Sequence, residues 1–274
     1  MSMRIWHQSF TVLSDLPAYE AALSAHFAKL ARPDSEIVMH GMHPGTYQTN
    51  YPGTDIRHRL FQYMHGFQFI AGALEAEKQG FDAYAIMTIP DVSLIEARAA
   101  VDIPVVAYGE SAMLTACTLG ARFGVMTFID ELAELIADNV ARYGLKERCA
   151  GSRPVGFKFT DVLAGFSDPA PLIARFREAA RALIRDGADV IIPGEAPLNV
   201  LLAMNGINRV DDCPVIDALG CTIKMAETLV DLRRTTGVSM SRKGYFREQA
   251  PRARTEELIR FYGLDRLQPG GPKK

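Results

Sequence analysis

Two stretches of this 274-residue chain share one pattern: GFDAYAIMT at 80–88 and GADVIIPGE at 187–195. Both open Gly-x-Asp, run through an apolar segment of strand character and reach a polar residue at the ninth position, Thr88 and Glu195. Each leads into a helix-like run, SLIEARAAV or LNVLLAMNG, and then into VDIPVVAYGES (101–111) or VDDCPVIDALG (210–220). Upstream, each copy has one more strand and helix, MRIWHQSF with LPAYEAALSAHFAKLA and RFGVMTF with DELAELIADNVARYG. Short β-rich runs alternating with helices of about 12 residues specify βαβ units and parallel sheets. The expected fold is therefore α/β, with two pseudosymmetric doubly wound parallel-sheet halves. The first covers 1–118, with 225–274 packing back on it, and the second covers 119–224.

The carboxyl ends of parallel strands line the crevice where ligands bind. If a pseudo-twofold axis relates the halves, Thr88 and Glu195 face each other across one cleft. A glutamate inside the strand would meet a large desolvation cost, whereas one at its end can meet a ligand. The plain alternative is a solvated loop residue or the N-cap of the next helix.

Composition narrows the partner. Hydrophobic residues are 48% and charged residues 23%, the balance of a folded globular chain. A formal charge of -2 and a pI near 6.3, with no basic stripe, point to a small-molecule partner and away from nucleic acid or an anionic membrane. The N-terminus MSMRIWHQSF lacks a charged region followed by a long apolar one, and no window of about 18 apolar residues occurs, so a cytoplasmic location is expected. The four cysteines never form C-x-x-C, and His40 and His43 have no third ligand at metal spacing, so no metal is expected. No G-x-G-x-x-G, Walker or G-x-S-x-G motif is present, which disfavours nicotinamide, ATP and serine-hydrolase chemistry.

The segments G-x-D-A-x-x-I, D-V-S-L-x-E-A-R, V-D-I-P-V-V, G-E-S-A, G-x-R-F-G-V-M-T, G-A-D-V-I-I and P-V-I-D resemble the aspartate/glutamate racemase superfamily. The nearest branch looks like the hydantoin and allantoin racemases, with arylmalonate decarboxylase and maleate isomerase more distant. The similarity spans roughly residues 67 to 232. It implies two α/β halves with the active site between them, neither metal nor organic cofactor, and a homo-oligomer. It also implies a cysteine from each half, passing a proton across a carbon beside a carbonyl. Those positions correspond here to Thr88 and Glu195, so both thiols are missing. An alcohol cannot serve as a free base as a thiol does, whereas a glutamate can shuttle a proton if burial raises its pKa.

Three chemistries remain open on these residues: proton transfer by Glu195 beside a carbonyl, giving racemisation, isomerisation or decarboxylation; hydrolysis of an amide-like ring by water that Glu195 activates; and binding alone. The substrate is expected to be a small cyclic amide or carboxylate. Other strand-end candidates for substrate contact are Gln8, Ser9 and Pro197, with Thr127 at a position that the family places near substrate oxygens. Asp91 and Glu110 are further candidates, their plain readings being a helix N-cap and an acid at a helix N-terminus. His43 and Tyr47 belong to the long loop HPGTYQTNYPGTD (43–55), in which Tyr47 and Tyr51 could cover the cleft. Backbone N–H groups after Thr88 and Glu195 are expected to form an oxyanion cradle. The basic tail (Arg242, Lys243, Arg247, Arg252, Arg254) reads as a solvated or subunit-bridging arm, and PGGPKK as a frayed end.

Overall fold

A strand order of 2-1-3-4 recurs in the two halves of the chain. In the computed structural model, which describes residues 2–267, the first sheet runs β2-β1-β3-β4. Its strands are β1 (Met3–Gln8), β2 (Ser35–His40), β3 (Ala83–Ile86) and β4 (Val105–Ala107), all parallel. The second sheet runs β6-β5-β7, also parallel, from β5 (Phe123–Thr127), β6 (Cys149–Pro154) and β7 (Val190–Pro193). The counterpart of β4 is reduced to one parallel bridge, Ile191 to Val215. Just before it the chain turns back through a short antiparallel pair, β8 (Arg209–Val210) and β9 (Cys213–Pro214). The PGGPKK terminus lies outside the described residues.

Alternation along the strands sorts side chains into three clusters, because successive residues of a strand point to opposite faces. Ile5, Ala83, Ala85, Val125, Val190 and Ile192 face a shared core between the sheets. Helices α1 (Pro17–Leu30), α5 (Tyr108–Leu119), α6 (Leu132–Arg142) and α10 (Ala218–Thr236) supply most of the rest, with Met87, Ile89, Phe159, Ala196 and Val200 joining from the turns and from the helices after β6 and β7. Trp6, Tyr84 and Ile86 face outward, against α3 (Arg59–Lys78) and α4 (Leu94–Ala100); α2 (Gly53–Ile56) precedes them. Met126 and Ile191 face outward in the second half, against α7 (Phe159–Gly165), α8 (Ala170–Arg185) and α9 (Ala196–Met204). The last helix, α11 (Arg252–Phe261), sends Ile259 to the outer cluster of the first sheet.

The basic tail is less solvated than its sequence suggests. Arg242 donates to the carbonyl of Arg98 and pairs with Asp102, and Arg252 pairs with Glu77, so both cations are spent on acceptors of the first sheet and its helices. Among the described residues, no helix is long and apolar enough to cross a membrane.

Local sequence explains the two turns that matter most. Helix α10 starts where the Asp217 carboxylate accepts the N–H of Gly220 (2.9 Å) and stops at Gly237, which is left-handed at φ 73°. After β7, Gly194 lies against β5 so closely that a Cβ would stand 1.8 Å from the carbonyl oxygen of Met126. Only glycine allows that approach, and it carries Glu195 over the end of the neighbouring strand. Gly194→Ala is therefore expected to cost about 2–4 kcal/mol. Urea unfolding checks this; a loss under about 0.5 kcal/mol would mean that the turn shifts freely.

Candidate active site

The turn after β3 and the turn after β7 meet at one cavity of about 70 Å³, lined on one side by Thr88 and on the other by Glu195 and Pro197. Each turn is held by groups from the other sheet's helices. The Tyr108 hydroxyl, at the start of α5, donates to the Pro193 carbonyl just ahead of Glu195. In return Asn139 of α6 donates to the Pro90 carbonyl (3.1 Å), and the Tyr143 hydroxyl donates to Asp91 (2.6 Å). Asp91 also accepts the N–H groups of Gly109 (2.7 Å) and Glu110 (2.8 Å), so it caps α5. It does so from a left-handed conformation, φ 49°, a strained backbone of the kind concentrated near functional sites.

Glu195 is the N-cap residue of α9, in extended conformation, with no side-chain capping hydrogen bond. The residue is partly exposed, yet its Oε2 is sealed from solvent and has no partner. Burial pushes its carboxyl up to about 8, while the backbone N–H of Leu198 pulls the other way. Burial, together with the Glu195 charge, raises the phenols of Tyr19 and Tyr51, the latter to about 12. No lysine, arginine or histidine forms part of the cavity wall, and Glu195 is its one carboxylic acid among the described residues. The remaining wall is largely apolar, including Phe128, Ile129, Leu132 and Phe159.

Ser9 lies in the wall, its Oγ 2.7 Å from the Thr11 hydroxyl. Tyr51 lines the cavity and stacks on Phe159 of the other half, with ring centroids 4.8 Å apart. The other expected contacts lie elsewhere. Gln8 shares the parity of Trp6, so it points to the outer face, where it accepts the Trp6 indole N–H (3.1 Å). Tyr47 donates to the Phe10 carbonyl instead of covering the cleft, and His43 Nε2 lies 2.7 Å from the Leu267 carbonyl. Glu110 is occupied by a forked ion pair with Arg98, and Asp91 by its three donors. Thr127 is fully buried, its hydroxyl unpartnered, and stands outside the cavity wall. The oxyanion cradle is thinner than expected, because Pro90 and Pro197, two residues past Thr88 and Glu195, have no N–H. Sequence reasoning missed Thr11, Phe159 and above all Tyr19, a core position of α1 that also lines the cavity.

No group of three or more His, Cys, Asp or Glu residues stands together at metal-binding distance among the described residues, and all four cysteines are free thiols. The raised Glu195 carboxyl has a consequence for stability. The unfolded chain releases this proton near its ordinary value of 4.5 and the folded protein near 8, so stability falls as pH rises through that window. Glu195→Gln removes the penalty. The variant is expected to gain on the wild type between pH 5 and 9, by an amount on the order of 3 kcal/mol. Urea unfolding at the two pH values measures it, and an equal difference at both would mean an unperturbed carboxyl.

Comparison with known proteins places this geometry in a family. The Asp/Glu/hydantoin racemase family model matches residues 18–226. The hydantoin racemase of Pseudomonas sp. (strain NS671) is 32% identical over 217 residues, 77% of this chain and 81% of that one. Among solved structures, the allantoin racemase of Klebsiella pneumoniae superposes with a TM-score of 0.74 at 24% identity, covering 91% of this chain and 95% of that one. The allantoin racemase of Pseudomonas fluorescens superposes with a TM-score of 0.70 at 25% identity, covering 91% and 98%. The matched span takes in both turns that meet at the cavity, and the chain belongs to the Asp/Glu/hydantoin racemase family, as an enzyme of the isomerase type.

Proposed function

We propose that the protein moves a proton at the carbon beside a carbonyl of a small uncharged cyclic amide, with Glu195 as its acid–base group and no metal or organic cofactor. The observation that carries this reading is Glu195 itself: a desolvated carboxyl, raised to about 8, in an otherwise uncharged wall. An acid–base group works best when its pKa lies near the operating pH, because both protonation states are then populated. A substrate carboxylate would set a second anion beside Glu195 with no cation in the wall to offset it. That favours a neutral ring, the hydantoin type named for the Pseudomonas relative, over a free acid. The apolar wall suits a ring bearing a hydrocarbon substituent.

Thr88 then holds the substrate or a water and is not a second base, since an alcohol is far too weak an acid to supply an alkoxide near neutrality. One acid–base group has a distinct isotopic signature. In deuterated water Glu195 takes a proton from one face, exchanges it with solvent and returns deuterium either to that face, giving labelled substrate, or, once the planar enolate has turned over in the cavity, to the other face, giving the opposite enantiomer. Label therefore enters recovered substrate at least as fast as the opposite enantiomer appears. A two-base enzyme labels product ahead of substrate.

The test is incubation of wild type and Glu195→Gln with 5-benzylhydantoin, allantoin, a cyclic imide and an arylmalonate, read by mass and by chiral chromatography. Expected are deuterium on carbon for at least one cyclic amide, kcat/KM rising through an apparent pKa near 8, and a loss in Glu195→Gln of about 1000-fold or more. A product heavier by one water would move the assignment to hydrolysis, and carbon dioxide release to decarboxylation. Full activity of Glu195→Gln would remove Glu195 from the chemistry.

A further inference from the structure

The tyrosines of this protein divide by what their hydroxyls do. Tyr84 and Tyr108, fully buried, donate to the carbonyls of Phe69 and Pro193. Tyr47 and Tyr143, partly buried, donate to the Phe10 carbonyl and the Asp91 carboxylate. This is the normal fate of a buried hydroxyl, since an unmade hydrogen bond there is costly. Tyr19 and Tyr51 are the exceptions outside the exposed surface. Neither hydroxyl has a hydrogen-bond partner among the described residues, and both side chains line the cavity that holds Glu195.

The two differ in depth. Tyr51 is partly exposed, its ring stacked on Phe159. Tyr19 is 1% exposed, its ring held against Phe166 with centroids 6.3 Å apart, on a helix whose neighbouring turns are packed in the shared core. An O–H that makes no hydrogen bond, on a packed ring at the wall of a largely apolar cavity, is available to an acceptor that arrives with the ligand. The cavity needs such a donor. Proton removal beside a carbonyl drives negative charge onto the carbonyl oxygen, and the two prolines leave Ile89 and Ala196 as the only N–H groups directly following Thr88 and Glu195 within those short turns.

We propose that Tyr19 is a catalytic residue: its hydroxyl donates a hydrogen bond to the substrate carbonyl oxygen and stabilises the enolate that Glu195 generates. This rests on the assignment of Glu195 as the base. In the step, the C–H proton passes to the Glu195 carboxylate and the C–H electron pair becomes the carbon–carbon π bond. The carbonyl π pair moves onto oxygen, where the Tyr19 O–H meets it without giving up its proton. Return of the proton from Glu195 to carbon reverses each shift. Burial and the Glu195 charge both raise the Tyr19 phenol, so it stays protonated as a donor and does not compete as a base.

The experiment compares wild type, Tyr19→Phe, Glu195→Gln and a protein carrying 3-fluorotyrosine at position 19, using the panel member that the wild type turns over best. Tyr19→Phe keeps the ring and its packing. It is expected to lower kcat by about 10- to 100-fold with KM changed less than about threefold, because the bond strengthens only as charge develops. The apparent pKa near 8 is expected to remain in Tyr19→Phe, since it belongs to Glu195. The fluorinated protein, which keeps the donor and the fold, is expected to retain at least about one third of wild-type kcat. Unchanged kcat in Tyr19→Phe beside an inactive Glu195→Gln overturns the role of Tyr19 and leaves Glu195 standing. A higher KM at unchanged kcat also overturns it, reducing Tyr19 to a ground-state contact. If Tyr19→Phe has an altered thermal midpoint, the fluorinated protein decides: a kcat as low as that of Tyr19→Phe overturns the proposal. An active Glu195→Gln, or no turnover of any panel member, removes the Glu195 assignment and this one with it.

Discussion

The hydrogen bond from the Tyr108 hydroxyl to the Pro193 carbonyl ties the helix that follows β4 to the turn that carries Glu195. Its counterparts run the opposite way, from Asn139 and Tyr143 to Pro90 and Asp91 beside Thr88. Each strand end at the cavity is thus positioned by the other sheet's helices, and the site exists only when the two halves are docked. These bonds lie in or beside a shared apolar core, where water competes little for them. Gly194 completes the arrangement by letting the β7 turn close onto the Met126 carbonyl.

A site built this way keeps a group that folding alone would reject. An unpartnered carboxyl oxygen buried beside apolar side chains opposes stability, and the strained backbones of Asp91 (φ 49°) and Ser93 (φ 54°) add to the cost. The surrounding structure offsets both. Below Glu195, Asn199 of α9 donates to Asp217 (2.7 Å) and accepts the N–H of Ala218 (2.8 Å), joining the helix that starts at Glu195 to the start of α10. Asp217 lies 2.8 Å from His26 of α1. Burial alone would raise the Asp217 carboxyl, but His26, the Gly220 N–H and the Asn199 amide outweigh it and hold the carboxyl below its ordinary value. The contrast with Glu195 is one of partners: Asp217 is supplied with three donors, and Glu195 Oε2 with none.

The repeat made Thr88 and Glu195 legible because strand ends fall at equal offsets in equal units, and Ser9 and Pro197 follow as neighbours of those ends. The remaining contacts depended on direction, which residue type does not record. Gln8 ends a strand as expected, but the period of two turns it to the Trp6 face. Asp91 and Glu110 have the polarity of ligand contacts, yet distant groups, Gly109 with Tyr143 and Arg98, already occupy them. Tyr19 failed in the opposite sense: in a helical run it reads as one more core aromatic.

By itself the sequence determined the α/β class, the two like halves and the chemical identity of the residue at each strand end, because these follow from local periodicity and from repetition along the chain. Only the tertiary structure decided that the Glu195 carboxyl is desolvated, that the wall around it carries no cation among the described residues and that Tyr19, whose hydroxyl makes no hydrogen bond, lines the same cavity. Those are properties of the space between elements far apart in sequence, set by which groups meet there and which donors and acceptors are left over once they have met.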